Sequence, residues 1–266
     1  MMKVMSYNTL FGGFDGNDGK RFNAQIKLIN EIKPDVLLIQ EAKNFTQNGM
    51  KLMYEMENQI NMRGFIAPAP HTGQNTGVFI GPGIKPLSFE VDSVHFHHAV
   101  AILKLDVPNL DQPVTVISAH LCPFGPHVRL REVYYLTNYA VADQYTLLAG
   151  DFNSVSPYDP DPVGLDNLPS HFRARYVKPD GKKVDRRTLE TLYQAGFVDI
   201  AHLLEKHGDT TVPAANFTGT EFVPFRSDYI LTTKALSALA VSYEVIKNPI
   251  TDFASDHYPI MAVFKK

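Results

Sequence analysis

AVAILKLDVPNLDQPVTVISAH, residues 99–120, holds two strand candidates and no helix. Residues 99–105 and 114–119 are short runs rich in valine, alanine and isoleucine. The residues between them carry Pro108, Asn109 and Pro113, which suit a turn. Parallel neighbours need a crossover of a dozen or more residues, usually helical. This stretch has no room for one, so a doubly wound parallel sheet is the wrong architecture.

The same spacing recurs outward from it. Further strand candidates lie at 3–7, 36–40, 77–80, 145–149, 229–232 and 259–264. Helical periods lie between some of them. Phe22, Ile26, Ile29 and Ile32 share one face of a helix that stops before Pro34. Leu52, Met56 and Ile60 mark a second helix, and residues 130–140, 189–195 and 200–204 mark three more. Strands outnumber helices, which predicts an α+β fold: two mainly antiparallel sheets packed face to face, with outer helices. Residues 1–266 read as a single domain. Residues 155–187 stand apart as a proline-rich and basic insertion, with five prolines followed by Lys178, Lys182, Lys183, Arg186 and Arg187. A solvated surface loop is the favoured reading of it, ahead of a substrate arm.

The chain has 266 residues, 44% of them hydrophobic and 20% charged, which are ordinary globular values. Its formal net charge of −3 supplies no global field for gathering nucleic acid. A single cysteine, Cys122, excludes a disulfide framework. The opening residues MMKVMSYNTLFGG do not have the form of a secretory signal, and no stretch approaches the roughly 20 apolar residues of a membrane span. A cytoplasmic protein with no membrane span and no obligate protein partner is expected.

The ends of the strand candidates carry the chemistry. Asn8 follows the first, Gln40-Glu41 close the second, and His120 follows 114–119. Asp151 and Asn153 follow 145–149, Asp228 opens 229–232, and Ser255-Asp256-His257 precede 259–264. One polar residue at a strand end is usually a turn former or cap. Six such ends from all parts of the chain are better explained by convergence on one polar pocket. Asp151 and Asn153 are two apart, so a strand-like backbone aims both to one side. Gly150 lets the backbone come close there.

These residues resemble the endonuclease/exonuclease/phosphatase superfamily of metal-dependent phosphoesterases, typified by pancreatic-type deoxyribonucleases and abasic-site endonucleases. The matching stretches are SYNTL (6–10), IQEA (39–42), SAHL (118–121), GDFNS (150–154), RSDYIL (226–231) and SDHYP (255–259), in the family's order. The resemblance implies a four-layered α/β sandwich and hydrolysis of a phosphate ester by a divalent metal, Mg²⁺ with Mn²⁺ as the alternative. Glu41 is the first choice as metal ligand, with Asn8 and Asp256 close to the ion. Asp151 orients or deprotonates the attacking water, and Asn153 holds that water or a phosphate oxygen. The resemblance pairs His257 with Asp228, and makes His120 a second imidazole for the phosphate or leaving group.

Substrate contacts are expected from Asn75 in the turn HTGQNTG, from His98 or His97 in HFHHA, and from Arg226 beside Asp228. A plain turn and a half-exposed strand are equal alternatives for the first two. Arg129 and Arg131 are read as solvated helix residues. The family's abasic-site members carry an aspartate where this chain has Leu10, which weakens a DNA-repair reading. The expected activity is hydrolysis of a phosphodiester, nuclease-like at first choice. The alternatives are a smaller phosphorylated molecule or lipid headgroup as substrate, or a binding module without catalysis.

Overall fold

The computed structural model describes residues 1–219 and 221–265. Twelve strands form two six-stranded sheets. The first sheet runs β11 (Ala240–Val245), β12 (Ile260–Phe264), β1 (Met2–Asn8), β2 (Val36–Gln40), β4 (Thr76–Ile80), β3 (Arg63–Ala67). The second runs β5 (Lys85–Asp92), β6 (Val100–Asp106), β7 (Val114–His120), β8 (Tyr145–Asp151), β10 (Asp228–Thr232), β9 (Val198–Asp199). The 99–120 stretch contains the antiparallel pair β6–β7, with Ala101 opposite Ser118. Each sheet contains one parallel pair, β1–β2 and β7–β8, and every other pairing is antiparallel.

Each parallel pair is joined by a helical crossover, α1 (Lys20–Ile32) in the first sheet and α3 (Pro126–Leu136) in the second. Strands buried on both faces read as continuous apolar runs. In β1 and β2, Val4, Val36 and Leu38 pack into the space between the sheets, against Leu103, Val116 and Leu147. Their neighbours Met5, Tyr7, Leu37 and Ile39 face outward under α1 and α2 (Lys51–Ile60). On the opposite outer face, Ile117, Leu148 and Tyr229 lie under α3 and, beyond α4 (Ser170–Arg173), α5 (Arg187–Ala195). The layers are thus helix, sheet, sheet, helix, as expected. Three short helices complete the chain: α6 (Ile200–Leu203), α7 (Lys234–Ser237) and α8 (Thr251–Ala254). No helix among the described residues is long and apolar enough to cross a membrane.

The 155–187 segment corrects the surface-loop expectation. Val155, Leu165, Tyr176, Val177 and Val184 form a small core of their own with Val212, Val223 and Phe225. Several of its basic side chains are paired, Arg173 with Asp166, Arg186 with Asp161 and Arg187 with Asp185. Its aromatic and branched residues are too widely spaced to show helical or strand periodicity, which hid this core from the sequence.

Candidate active site

The carboxyl ends of β1, β2, β7 and β8 meet at one rim of the sandwich, where the antiparallel strands β10 and β12 begin. That topology brings together residues from the whole length of the chain. His120 and Asp151 are opposite each other in the β7–β8 register, and Asp151 is also opposite Asp228. Gly150 makes the approach feasible: its φ is +146°, and a Cβ there would lie 1.8 Å from the Ala119 carbonyl oxygen.

Asp151 is the hub. It is buried, and its Oδ1 accepts from Ser227 Oγ at 2.7 Å and from the Asn153 backbone N–H at 2.9 Å. Its Oδ2 accepts from Asn8 Nδ2 at 3.1 Å and lies 3.4 Å from His120 Nε2 and 3.6 Å from His257 Nε2. The other ring nitrogen of His257 is 2.8 Å from Asp228 Oδ2. Burial works against the imidazolium of His257, but the Asp228 and Asp151 carboxylates outweigh it and raise its pKa well above the usual range. Burial also opposes ionisation of Asp151, yet His257, His120 and the two hydrogen bonds hold its pKa below the ordinary value. His120 goes the other way, lowered to about 4 by burial ahead of the opposing pull of Asp151. An ionised carboxylate therefore sits between a protonated and a neutral imidazole.

Glu41 lies across the cleft. Its Oε2 accepts from the Phe11 N–H at 3.1 Å and from Gln74 Nε2 at 3.3 Å. The loop that supplies the first of these is strained, with Leu10, Phe11, Gly12 and Gly13 all at positive φ. Such strain persists where surroundings over-determine it, often at functional sites. Burial first, then the nearby Asp256 carboxylate, pushes the Glu41 pKa up to about 7. Burial and Asp151 raise Asp256 as well. Two hard oxygen donors held close at a cost to their own ionisation fit a divalent cation such as Mg²⁺. Asp151, Asp228 and His257 also offer ligand atoms within 4.8 Å of one another. That trio suits a cation less, because a protonated His257 repels it and Asp228 already occupies Nδ1.

The structure changes the part assigned to Asn8. Its amide nitrogen faces Glu41 Oε1 and Asp151 Oδ2 at 3.4 and 3.1 Å, and its oxygen accepts from the Leu10 N–H. It bridges the two carboxylates as a donor. Asn153 lines the cleft, and its amide nitrogen donates to the Leu121 carbonyl at 3.0 Å.

The cleft above these groups has a volume of about 510 Å³. His97 and His98 both line it, because residues 94–98 form a bend and not the half-exposed strand weighed as the alternative. His98 is buried, stacked 4.2 Å from His120, and bonded through Nδ1 to Thr72 Oγ1 at 2.8 Å. Burial lowers its pKa and keeps it neutral, so any substrate contact it makes is that of an uncharged imidazole. His95 turns away to Asp92 and Tyr135.

Two expected substrate residues are not brought to the cleft. Asn75 is buried, accepting from the Ala69 N–H and donating to the Ala42 carbonyl, both at 2.8 Å. It shapes the turn. Arg226 is buried between Asp159 and Asp199, with four contacts of 2.7 to 3.0 Å. One residue along from Ser227, it points to the other side, into the fold. Arg129 is likewise buried, not solvated, and donates to the carbonyls of Cys122 and Arg175.

Sequence reasoning passed over Ser227, Glu132 and Arg175. Ser227 lay inside a matched stretch, next to Asp228, and that position was its only signal. Glu132 on α3 is buried and accepts from the His97 and Cys122 N–H groups at 2.7 and 2.9 Å, tying two cleft loops together. Arg175 lines the cleft from the 155–187 segment, whose sequence gives no sign of where its side chains point.

Residues 5–257 match the sequence profile described as "Endonuclease/Exonuclease/phosphatase family". No curated protein sequence is significantly similar to the chain. Solved structures share its fold. An AP endonuclease from Archaeoglobus fulgidus superposes with a TM-score of 0.73 at 21% identity, covering 100% of both chains. A mannosyl-6-phosphatase of Bacteroides thetaiotaomicron gives 0.71 at 12% identity, again over 100% of both chains. TDP2 of D. rerio, complexed with a single-strand DNA product, gives 0.68 at 17% identity, covering 100% of this chain and 99% of that one.

Proposed function

Since the chain belongs to the endonuclease/exonuclease/phosphatase family and is a phosphoric ester hydrolase, we propose that it cleaves a phosphodiester by direct attack of water, with Asp151 as base and His257 as acid. One observation carries this reading. Asp151 and His257 lie 3.6 Å apart in one cleft, and their pKa values are driven in opposite directions. A base that stays ionised beside an acid that stays protonated is what a single displacement by water requires.

Asp151 takes the proton of the attacking water as oxygen bonds to phosphorus. In the same step the ester P–O bond breaks, and His257, its ring held in place by Asp228, gives its proton to the leaving oxygen. Asn8 keeps Asp151 and Glu41 apart from one another and oriented. Glu41 and Asp256 would hold the divalent cation, which would supply charge neutralisation at the phosphate. His120, neutral, and Asn153 complete the wall against which the phosphate rests.

Turnover of bis-p-nitrophenyl phosphate by the whole chain with Mg²⁺, Mn²⁺ or EDTA tests the chemistry. Metal-dependent cleavage that Asp151→Asn and His257→Ala each lower by about 10²–10⁴-fold supports it. Wild-type rates in both variants, with folding intact, would falsify it.

A small phosphorylated substrate is the second reading. The cleft is lined by one arginine and no lysine among the described residues. Binding along a nucleic acid needs several cations on phosphates, so a panel of DNA, RNA and phosphorylated small molecules separates the two.

A further inference from the structure

Arg175 is the one cation in the cleft wall, among the described residues, that the chemistry above leaves unused. It reaches the cleft from the 155–187 segment and pairs there with Glu221, 46 residues on, which also lines the cleft. Two rings flank the guanidinium, whose Cζ lies 4.6 Å from the Phe172 centroid and 5.9 Å from the Phe124 centroid, and buried Arg129 fixes the backbone beneath it by donating to the Arg175 carbonyl. A guanidinium held this way has already lost most of its rotamer freedom, so a ligand anion need not order it.

Glu221 is placed differently. Its side chain is 38% exposed against 14% for Arg175, and among the described residues the guanidinium is its one polar partner. An exposed carboxylate can swing into water at little expense. Its negative charge also stands in a cleft whose floor holds Glu41, Asp151 and Asp256, which is unfavourable for any phosphorylated ligand. Resting on the phosphoesterase reading, we propose that Arg175 anchors an anionic oxygen of the substrate and that Glu221 is the latch this oxygen displaces. The exchange is one ion pair for another. The Arg175 guanidinium stops donating to a carboxylate and donates to a phosphate oxygen instead, and no proton moves.

Calorimetric titration of the whole chain with inorganic phosphate, with Mg²⁺ present, tests the exchange without turnover. Arg175→Ala should weaken phosphate by about tenfold or more, and Glu221→Gln, which removes the competing charge, should tighten it by about threefold. Kinetics on bis-p-nitrophenyl phosphate should show the same changes in KM with kcat nearly constant. If Arg175→Ala does not fold, Arg175→Lys replaces it and must still weaken phosphate, because it loses the fork. Unchanged affinity in the arginine variant that folds overturns the proposal. So does equal weakening by the arginine and glutamate variants, which would make the pair a structural brace, and so does a wild-type chain that binds no phosphate. A chain that binds phosphate through Arg175 yet hydrolyses no ester sinks the phosphodiesterase reading and leaves the latch standing.

Discussion

His257 Nδ1 lies 2.8 Å from Asp228 Oδ2, with both side chains buried at the base of the cleft; burial pushes the Asp228 pKa up to about 6 despite the pull of His257, and the Asp228 carboxylate in turn raises that of His257. The pair fixes which ring nitrogen faces the cleft and keeps it protonated. Asp228→Asn preserves the shape and removes the charge. kcat should fall about 10–100-fold. The sign of the pH effect follows from the pair: without Asp228 the imidazolium loses its proton at a lower pH, so the alkaline limb of the rate profile moves down. A pH–rate profile of the variant checks this, and an unmoved limb would show that His257 does not act as the cation.

Glu41 is an acid whose pKa rises on folding, from an ordinary 4.5 to about 7. Between those values the folded chain binds the extra proton, so this group's contribution to stability declines as pH rises through the window. A cation bound to the ionised carboxylate reverses the effect. In EDTA the melting temperature should fall between about pH 5 and pH 8, and the gain on adding Mg²⁺ should be larger at the higher pH. Equal Mg²⁺ gains at both would place the ion elsewhere.

Gly150→Ala tests the contact between β7 and β8 below the site. The added Cβ would sit 1.8 Å from the Ala119 oxygen, a backbone atom that cannot swing aside. The strands must part or the chain must unfold, at more than about 4 kcal/mol. Urea denaturation reads this directly. A variant with near-native stability would mean that the strands separate more easily than their shared register suggests.

Arg226→Met removes a buried cation from between Asp159 and Asp199. Breaking such a pair from one side costs about 3–5 kcal/mol, because buried carboxylates are left without a partner. Asp199 also accepts from the Ala201 and His202 N–H groups at the start of α6 and from Tyr193 Oη, so the loss spreads. The midpoint in urea should drop while the KM of the folded fraction stays as it was. A raised KM with intact stability would return Arg226 to the substrate.

The eight strands legible in the sequence are the eight interior ones, and the four that were not, β3, β5, β9 and β11, are the four sheet edges. Interior strands are buried on both faces and write continuous apolar runs. β5 and β11 are largely exposed, and β9 has two residues, so their composition resembles loop. The site divides in a similar way. That Glu41, Asp151, Asp228, Asp256 and His257 meet at one rim is legible because strand ends converge in an ordered topology. Arg226 misled because nearness in sequence to Asp228 says nothing about side-chain direction, and its true partners lie 67 and 27 residues away. Arg175 and Glu132 owe their positions to tertiary packing alone.

Asn8 Nδ2 and His257 Nε2 are 3.5 Å apart in space and 249 residues apart along the chain. β12, which follows His257, slots between β1 and β11. A chain emerging from the ribosome therefore carries Asn8, Glu41 and Asp151 long before it carries His257, which closes the cleft they line. Until β12 has slotted in, the wall of the cleft that carries Asp256 and His257 is not anchored to the first sheet.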